Sequence, residues 1–245
     1  MSTPVAPIPT DELLTQLRTG EMHLIQRLPW SSNTTFFVQI ESGGQQLPAI
    51  YKPRRGERPL WDFPQGTLFR REVAAFEVSH ALGWQIVPPT VARQGSHGIG
   101  MVQLFIPHDP DEHFFAVRDP WSMALTRIAL FDVIINNADR KGGHMLRDET
   151  GHIWGIDHGV SFHEEAKLRT VVWELSGQPI PTSLIADMEL LAAHLHVDEA
   201  LHKRLITLLS PREVEALHQR LEATIDIATF PLPPQDRYPV PWPMI

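Results

Sequence analysis

The chain has 245 residues, which is long enough to bury a substantial core either as one large domain or as two lobes that share a cleft. A formal net charge of −8 argues against nonspecific nucleic-acid binding, and the absence of cysteine excludes disulfides and thiolate metal sites. Residues 1–14 lack the features of a signal peptide and no apolar run approaches the roughly 18 residues of a membrane span, so we expect a cytoplasmic protein without integral membrane association.

The N-terminal elements predicted from the sequence are a helix and a hairpin. A short helix is expected over residues 11–19, with Thr10 as its cap. Two apolar, β-branched and aromatic runs follow at residues 22–28 and 35–40, and this composition is typical of strands. The polar segment 29–34 between them contains no glycine and is predicted to be the hairpin tip.

A third strand is predicted over residues 47–52, where a proline then ends the apolar run. A helix is predicted over residues 67–82, with Thr67 as a plausible cap and a glycine directly after it. Further strands are expected at residues 86–92 and 99–105. This half of the chain is therefore predicted to form a small antiparallel sheet with one main helix.

The turn-rich segment 107–110 is the expected boundary between an N-terminal lobe, residues 1–108, and a C-terminal lobe, residues 109–245. After it, the Asp-Pro pair at 119–120 favours the start of a helix that ends near Asn136. The second lobe is predicted to be mainly helical, so the fold class is α+β.

The C-terminal region carries one strong helix signal and one strong helix breaker. Ser210 and Glu213 form the S-x-x-E pattern of a capping box, which predicts a helix after Ser210. The proline-rich tail from Phe230 cannot continue that helix, because prolines remove backbone donors. It is predicted to be an extended strap over the surface or a loose end.

Two aspartates 18 residues apart lie in contexts that suit phosphoryl transfer. Asp139 follows a helix-like run and precedes Arg140, Lys141 and two glycines, and Asp157 follows the apolar segment 152–156. Asp139 is predicted to orient a substrate hydroxyl, Asp157 to hold a metal on nucleotide phosphates, and Lys141 to meet the transferred phosphoryl group. Either motif alone is also common loop punctuation.

Lys52 and Glu72 complete the order of parts found in a two-lobed kinase. Lys52 at a strand end would neutralise nucleotide phosphates, and Glu72 on the following helix would hold its ammonium in place. The alternative is an ordinary strand-end lysine and a surface ion pair between Glu72 and Arg70 or Arg71. The local basic cluster suits the phosphates of a small ligand, or is a solvated face; it comprises Lys52, Arg54, Arg55, Arg58, Arg70 and Arg71.

Nucleotide contacts are predicted at two further places. The hairpin tip offers hydroxyls, an amide and backbone N–H groups to phosphate from Ser31, Ser32 and Asn33. The strand before the lobe boundary offers backbone groups to an adenine edge, from Gln103, Leu104 and Phe105. ATP is therefore the expected phosphate donor.

His144 stands five residues after Asp139, where a kinase usually has a metal-binding asparagine. His144 and Asp157 are predicted to bind Mg²⁺ or Mn²⁺. Because imidazole favours softer ions than magnesium, we expect either a preference shifted towards Mn²⁺ or a site reduced to one metal ion. Asp132 would face the core of its helix and is predicted to be structural. His158 and His163 are expected to be packing or solvent-facing residues.

Three other functions fit parts of this pattern. The missing glycine loop and His144 favour a pseudokinase or nucleotide-sensing module, and the same residues are compatible with transfer of AMP. A metal-dependent hydrolase is the third, less favoured, alternative. Its ligands would be drawn from Asp139, His144, His152, Asp157, His158 and His163.

Two stretches of sequence carry a family resemblance: N-A-D-R-K-G-G-H at 137–144 and G-I-D-H-G-V-S-F at 155–162. They resemble a largely actinobacterial family described as phosphatidylinositol 3-/4-kinase-like, together with S-S-N at 31–33, Y-K-P-R-R-G-E-R-P-L-W-D-F-P at 51–64, R-E-V-A-A at 71–75 and V-V-W-E-L at 171–175. More distantly they resemble type II phosphatidylinositol 4-kinases and HipA-type kinases. The resemblance implies a two-lobed protein-kinase-like fold and ATP as donor, but not an inositol lipid as acceptor. The expected acceptor is a hydroxyl of a protein, of a small molecule or of a lipid.

Overall fold

The computed structural model describes residues 9–29, 33–111, 114, 122–196 and 199–244. Its largest sheet has five antiparallel strands in the order β1-β2-β3-β5-β4. The strands are β1 (Glu21–Leu28), β2 (Thr35–Ser42), β3 (Gln45–Pro53), β4 (Thr90–Gly95) and β5 (Gly98–Leu104). The predicted hairpin of β1 and β2 is confirmed, as are the third strand and a strand near residues 99–105.

The strand predicted over residues 86–92 is only partly correct, since β4 begins at Thr90. Pro88 and Pro89 stand directly before it, and proline has no N–H with which to join a ladder. In β3, by contrast, the alternation is regular, with Leu47, Ala49 and Tyr51 buried on one face. That face packs into the core of the molecule.

The predicted cap at Thr10 is wrong, whereas Thr67 does hold the predicted N-cap position of its helix, although its side chain accepts no helix amide. Helix α1 (Thr10–Thr19) has Thr10 as its first residue, because the Leu13 amide donates to Pro9 O at 3.0 Å and closes the first turn there. Helix α2 (Leu68–Ala81) is capped from a distance: the Glu57 carboxylate accepts from the amides of Leu68 and Phe69, at 3.2 and 2.8 Å. The Thr67 hydroxyl donates instead to a backbone carbonyl.

Helix α3 (Met123–Ile135) begins later than the sequence predicted. Ser122 is its cap, because the Ser122 Oγ accepts from the Leu125 amide at 3.3 Å. The predicted start at 119–120 lies outside the described residues. The helix ends where Asn136 adopts a left-handed conformation, with φ at +55°, and this end delivers the chain into the loop that carries Asp139.

The rest of the C-terminal half is a short hairpin and three helices. The hairpin comprises β6 (Met145–Arg147) and β7 (Ile153–Gly155), and the helices are α4 (Thr182–His194), α5 (Ala200–Leu208) and α6 (Pro211–Ile227). The predicted capping box of α6 is confirmed: the Ser210 Oγ accepts from the Glu213 amide, and a Glu213 oxygen accepts from the Ser210 amide. None of the helices in the described part of the chain is both long and apolar enough to cross a membrane.

The proline-rich tail forms the predicted strap rather than a loose end. Its backbone carbonyls accept from the chain beneath them, since Pro239 O receives the Thr170 amide and the Trp173 indole N–H, each at 3.1 Å. Met244 O accepts from the Gly142 amide at 2.7 Å. The tail therefore touches the loop that follows Asp139.

Helix α2 connects the sheet to the C-terminal helices. The Arg71 guanidinium, which is 1 % exposed, donates to Ser161 O at 2.6 Å and to the Glu213 carboxylate of α6. Glu77 accepts from Arg204 of α5 at 2.6 Å. One continuous hydrophobic core also runs from the sheet into these helices. The exact boundary at residue 108 stays a prediction.

Candidate active site

Lys52 lies at the centre of a partly buried charge cluster formed by three segments of the chain. Its Nζ lies 2.6 Å from Glu72 Oε1 and 2.7 Å from Asp157 Oδ1. Strand β3 supplies Lys52, helix α2 supplies Glu72, and Asp157 stands two residues after β7. The predicted pairing of Lys52 with Glu72 is confirmed, and a surface pair between Glu72 and a neighbouring arginine is not what forms.

Glu72 also fixes the backbone next to Asp157. Its side chain is 2 % exposed, and the Oε2 atom accepts from the His158 amide at 2.9 Å. Asp157 itself has a φ of +60°, an unusual value for a residue that is not glycine. The Glu72 carboxylate therefore holds the amine of Lys52 with one oxygen and the turn that presents Asp157 with the other.

Lys52 stabilises the charges of both carboxylates, whereas burial and the neighbouring Asp157 charge raise the pKa of the Glu72 carboxyl. Burial alone would lower the pKa of the Lys52 ammonium, but the carboxylates of Asp157 and Glu72 raise it above its ordinary value. The Lys52 charge in turn holds the pKa of the Asp157 carboxyl far below its usual range, against the effect of burial. At neutral pH the site therefore presents a charged amine and an ionised Asp157.

Asp139 lies across the same cavity from Lys52 and Asp157. The cavity is lined by Asn33, Lys52, Pro53, Glu57, Leu68, Phe69, Glu72, Asp139, Asp157, Gly159 and Val160. The Asp139 amide donates to Asn137 Oδ1 at 3.0 Å, and Lys141 Nζ lies 3.5 Å from Asp139 Oδ2. Burial, opposed by Lys141 and assisted by the Asp157 charge, raises the pKa of the Asp139 carboxyl.

A buried ion pair supports the loops that carry both aspartates. Asp132 and Arg140 are each 0 % exposed, and Arg140 Nε lies 2.9 Å from Asp132 Oδ2. The same guanidinium donates to His144 O at 3.2 Å and Ile156 O at 3.0 Å. The structural role predicted for Asp132 is confirmed. Arg140 is a supporting residue that the sequence did not identify, because its partners come from three separate segments.

His144 stands beside Asp157 on the side away from Lys52. Its Nε2 lies 3.4 Å from Asp157 Oδ2. Burial lowers the pKa of the His144 imidazole to about 4, although the Asp157 charge opposes this shift. The ring is therefore neutral at physiological pH, which is the form that ligates metal ions.

The predicted nucleotide contacts are less uniform. Ser31 and Ser32 lie outside the described residues, while Asn33 lines the cavity and accepts from the Arg58 amide at 2.7 Å through its Oδ1. The amides of Leu104 and Phe105 donate to Pro89 O and Pro48 O, at 2.9 and 3.0 Å. These two amides are therefore engaged within the protein rather than directed at a ligand.

Gln103, the third residue predicted near adenine, is also engaged within the protein. Its Nε2 donates to Thr90 Oγ1 at 2.9 Å, and the residue is 4 % exposed. Its backbone lies in the middle of the sheet, between Ile50 of β3 and Thr90 of β4. The backbone amides of Leu104 and Phe105 and the side-chain amide of Gln103 are therefore not free to donate to adenine at the predicted site.

The histidines of the hydrolase alternative have separate partners. His152 Nε2 contacts Gln85 O at 2.8 Å, His163 Nε2 contacts Asp62 O at 3.0 Å, and buried His158 contacts Arg140. Across residues 9–29, 33–111, 114, 122–196 and 199–244, no three His, Asp or Glu side chains group as metal ligands. A metal here would have to be held by two protein ligands together with ligand oxygens and water.

The sheet, the lysine–glutamate pair and the two loop aspartates define a kinase-like protein. Three solved structures are similar over most of the chain. The golgi casein kinase has a TM-score of 0.56 at 16 % identity, covering 89 % of this chain and 73 % of its own. Hydra Fam20 with sugar has a TM-score of 0.59 at 16 % identity, covering 89 % and 88 %. The Helicobacter pylori proinflammatory kinase CtkA has a TM-score of 0.51 at 12 % identity, covering 86 % of this chain and 95 % of its own.

Sequence comparison gives the family. The pattern of the family described as phosphatidylinositol 3- and 4-kinase matches residues 89–210. Protein Rv2133c of Mycobacterium tuberculosis is 38 % identical over 93 % of both chains. Phosphatidylinositol 4-kinase gamma 4 of rice is 26 % identical over 58 % of this chain and 31 % of its own. The chain belongs to the same family as the mycobacterial protein, residues 89–210 match the phosphatidylinositol 3- and 4-kinase pattern, and by family and fold it is a kinase.

Proposed function

We propose that the protein transfers the γ-phosphoryl group of ATP to a hydroxyl acceptor, with a divalent metal ion. The observation that carries this proposal is that Lys52, Asp139 and Asp157 line one cavity although they come from three distant segments. Phosphoryl transfer needs this division of labour, because catalysis consists mainly of positioning and of stabilising the charge on the transferred group.

Lys52 and Glu72 act on the donor side. The Lys52 ammonium binds oxygens of the α- and β-phosphates, and Glu72 holds it at 2.6 Å so that it does not have to be ordered when ATP arrives. Asn33 lines the same cavity and contributes from the hairpin tip. Ser31 and Ser32, which precede it in the chain, are proposed to complete the phosphate loop.

Asp157 and His144 are the proposed metal ligands. Their facing atoms, Oδ2 and Nε2, are 3.4 Å apart, and the carboxylate is ionised and the imidazole neutral at pH 7. Such a donor set fits Mg²⁺ or Mn²⁺ that takes its remaining ligands from phosphate oxygens and water. An ion held there would neutralise negative charge on the phosphate oxygens.

Asp139 is the proposed base for the acceptor hydroxyl. It takes the proton while the acceptor oxygen forms a bond to the γ-phosphorus and the bond between that phosphorus and the β–γ bridging oxygen breaks, which releases ADP. Its raised pKa makes it a better base than an ordinary carboxylate. Lys141, whose Nζ lies 3.5 Å from Asp139 Oδ2, is proposed to contact the transferred phosphoryl group.

The acceptor is proposed to approach from a second cavity, of about 420 Å³, that has Asp139 in its wall. Trp61, Lys167, Arg169 and Arg237 also line this cavity, so it offers an aromatic face and three cations, of which Lys167 pairs with Asp62 at 3.0 Å. A small molecule or a protein side chain fits this volume. The rice relative is named for phosphatidylinositol, and a lipid hydroxyl is a third acceptor class to test.

The test uses ATP labelled separately at the α- and the γ-phosphate. The protein is incubated with each ATP, with Mg²⁺ or Mn²⁺, and with cell extract that contains protein, metabolite and lipid fractions. Transfer of the γ label alone supports the proposal. Transfer of the α label would mean that the protein is an AMP transferase, and saturable ATP binding without turnover would mean that it is a nucleotide-sensing module.

A further inference from the structure

A further cavity, distinct from the nucleotide and acceptor cavities described above, lies along the segment that joins β3 to α2. Its volume is about 520 Å³, which is in the range of small-molecule sites. Its walls come from the segment itself, from the start of α2 and from the β4–β5 turn. They are formed by Arg54, Arg55, Glu57, Arg58, Pro59, Leu60, Phe63, Pro64, Gln65, Gly66, Leu68, Gln94, Gly98 and Ile99.

Three arginines give this cavity an excess of positive charge. No ion pair within the described part of the chain includes Arg54, Arg55 or Arg58. The one carboxylate in the wall, Glu57, already accepts the Leu68 and Phe69 amides at the start of α2. The guanidiniums are therefore left to bind an anion, and guanidinium geometry suits phosphate oxygens.

The three arginines are exposed, and one of them, Arg54, is packed against the wall of the cavity. Gly66 has a φ of +73°, and a Cβ added there would stand 2.4 Å from Arg54 Nε, so the Arg54 side chain lies against this turn. Apolar side chains flank the cations, among them buried Phe63 and Ile99, which is 40 % exposed. A ligand with an organic body as well as a charged group would contact both parts.

We propose that this arginine-lined cavity binds a phosphate-bearing ligand. The site is separate from the cavity lined by Lys52, Asp139 and Asp157, which we call the triphosphate cleft. The two sites share the Glu57 and Leu68 side chains in their walls. The Arg58 amide also donates to Asn33 Oδ1 at 2.7 Å, and the Thr34 amide donates to Gly56 O at 2.9 Å. An occupant of the arginine-lined cavity would thus stabilise the segment that supports both the hairpin tip and α2.

Pyrophosphate is the probe for the shared chemistry, and its binding is measured by calorimetry on the full chain. A non-hydrolysable ATP analogue with Mg²⁺ is present at saturation, so that the triphosphate cleft is filled. The Arg55→Gln/Arg58→Gln double variant removes two cations of the cavity. Arg70→Gln is the matched control, because Arg70 is an exposed arginine of α2 that does not line the cavity.

The expected result is pyrophosphate binding in the presence of the analogue, weakened by about tenfold or more in the double variant and unchanged in Arg70→Gln. Co-sedimentation with phosphatidylcholine vesicles that carry phosphatidylinositol phosphate distinguishes the source of the phosphate. Arginine-dependent vesicle binding means a lipid headgroup, and its absence means a free small molecule.

Three results would overturn the proposal: no pyrophosphate binding, equal affinity in the wild type and the double variant, or complete displacement of pyrophosphate by the ATP analogue. The last would mean that the anion site is the triphosphate cleft itself. The pyrophosphate measurement needs no ATP turnover. A failure of the proposed phosphotransfer and a failure of this second site would therefore be seen separately.

Discussion

Lys52 Nζ lies 2.7 Å from Asp157 Oδ1, although 105 positions separate the two residues in the chain. This contact joins the C-terminal end of β3 to the turn after β7, and Oδ2 of Asp157 lies 3.4 Å from His144 Nε2. One carboxylate is thus shared between the cation of the sheet and the proposed metal ligand of the C-terminal half. A triphosphate bound here is expected to contact both halves of the molecule.

Replacement of Asp139 by alanine should abolish phosphoryl transfer and leave nucleotide binding nearly unchanged. The acceptor hydroxyl would lose its base, an effect of about 10²- to 10⁴-fold in rate, whereas Lys52 would still bind the phosphates. Steady-state kinetics and calorimetry with an ATP analogue measure the two effects. Asp226→Ala, an exposed aspartate of α6, is the control. Equal activity of Asp139→Ala and the wild type would remove Asp139 from the mechanism.

The pH dependence of transfer should have an acidic limb set by Asp139. A base must be ionised, so the rate falls as pH decreases through the pKa of Asp139, which burial raises above the ordinary value of about 3.9. The rate is expected to be maintained at pH values above that pKa. Rate–pH profiles of single-turnover transfer check this. A limb at or below the ordinary aspartate pKa would contradict the assignment of Asp139 as the base.

Glu72→Gln should weaken ATP binding by roughly tenfold, because Lys52 loses a charge-assisted hydrogen bond that holds its ammonium towards the phosphates. The measurement is the dissociation constant of an ATP analogue. Glu77→Gln is the matched control on the same helix, since Glu77 pairs with Arg204 and not with Lys52. An equal loss of affinity in both variants would indicate general damage to α2 instead.

His144→Asn should shift the metal preference from Mn²⁺ towards Mg²⁺. An amide oxygen replaces a neutral imidazole nitrogen, and magnesium favours oxygen ligands more strongly than manganese does. The ratio of kcat/KM values with the two ions, wild type against variant, measures the shift. His152→Asn is the control, because the His152 ring contacts the Gln85 carbonyl, whereas the His144 ring faces Asp157. An unchanged ratio in His144→Asn would remove His144 from the metal site.

Asp132→Ala should destabilise the fold by about 3–5 kcal/mol, because it leaves the Arg140 charge buried without its partner. Urea denaturation measures the free energy of unfolding. The Asp132→Leu/Arg140→Met double variant should recover part of that loss, since it removes both charges together but also removes the donor to the His144 and Ile156 carbonyls. A loss below about 1 kcal/mol in Asp132→Ala would show that the pair is not needed to hold the loops.

The sheet could be predicted from the sequence because its signals are local. Alternation of buried and exposed residues in β2 and β3 is written into consecutive positions, and so is the capping box at Ser210. The pairing of Lys52 with Glu72 could also be anticipated. A carboxylate beside the apolar face of a helix needs a cation, and the order of the motifs indicated which one.

The features that the sequence did not predict depend on distant partners. The cap of α2 comes from Glu57, eleven residues before Leu68, and not from the adjacent threonine. Arg140 joins segments on both sides of the site, so no short pattern marks it. The sequence also predicted that the amides of Leu104 and Phe105 bind a ligand. In the fold they donate to the carbonyls of Pro89 and Pro48, which are not their neighbours in the sequence.

The convergence of metal, nucleotide and protein ligands is tested most directly by pulsed electron paramagnetic resonance of Mn²⁺ bound together with a non-hydrolysable ATP analogue. The spectra should contain a phosphorus coupling from the nucleotide and a nitrogen coupling from the imidazole, and His144→Asn should remove the nitrogen coupling. Mn²⁺ that binds without a phosphorus coupling, or that keeps the nitrogen coupling in His144→Asn, would contradict a single triphosphate site at Lys52, Asp139 and Asp157.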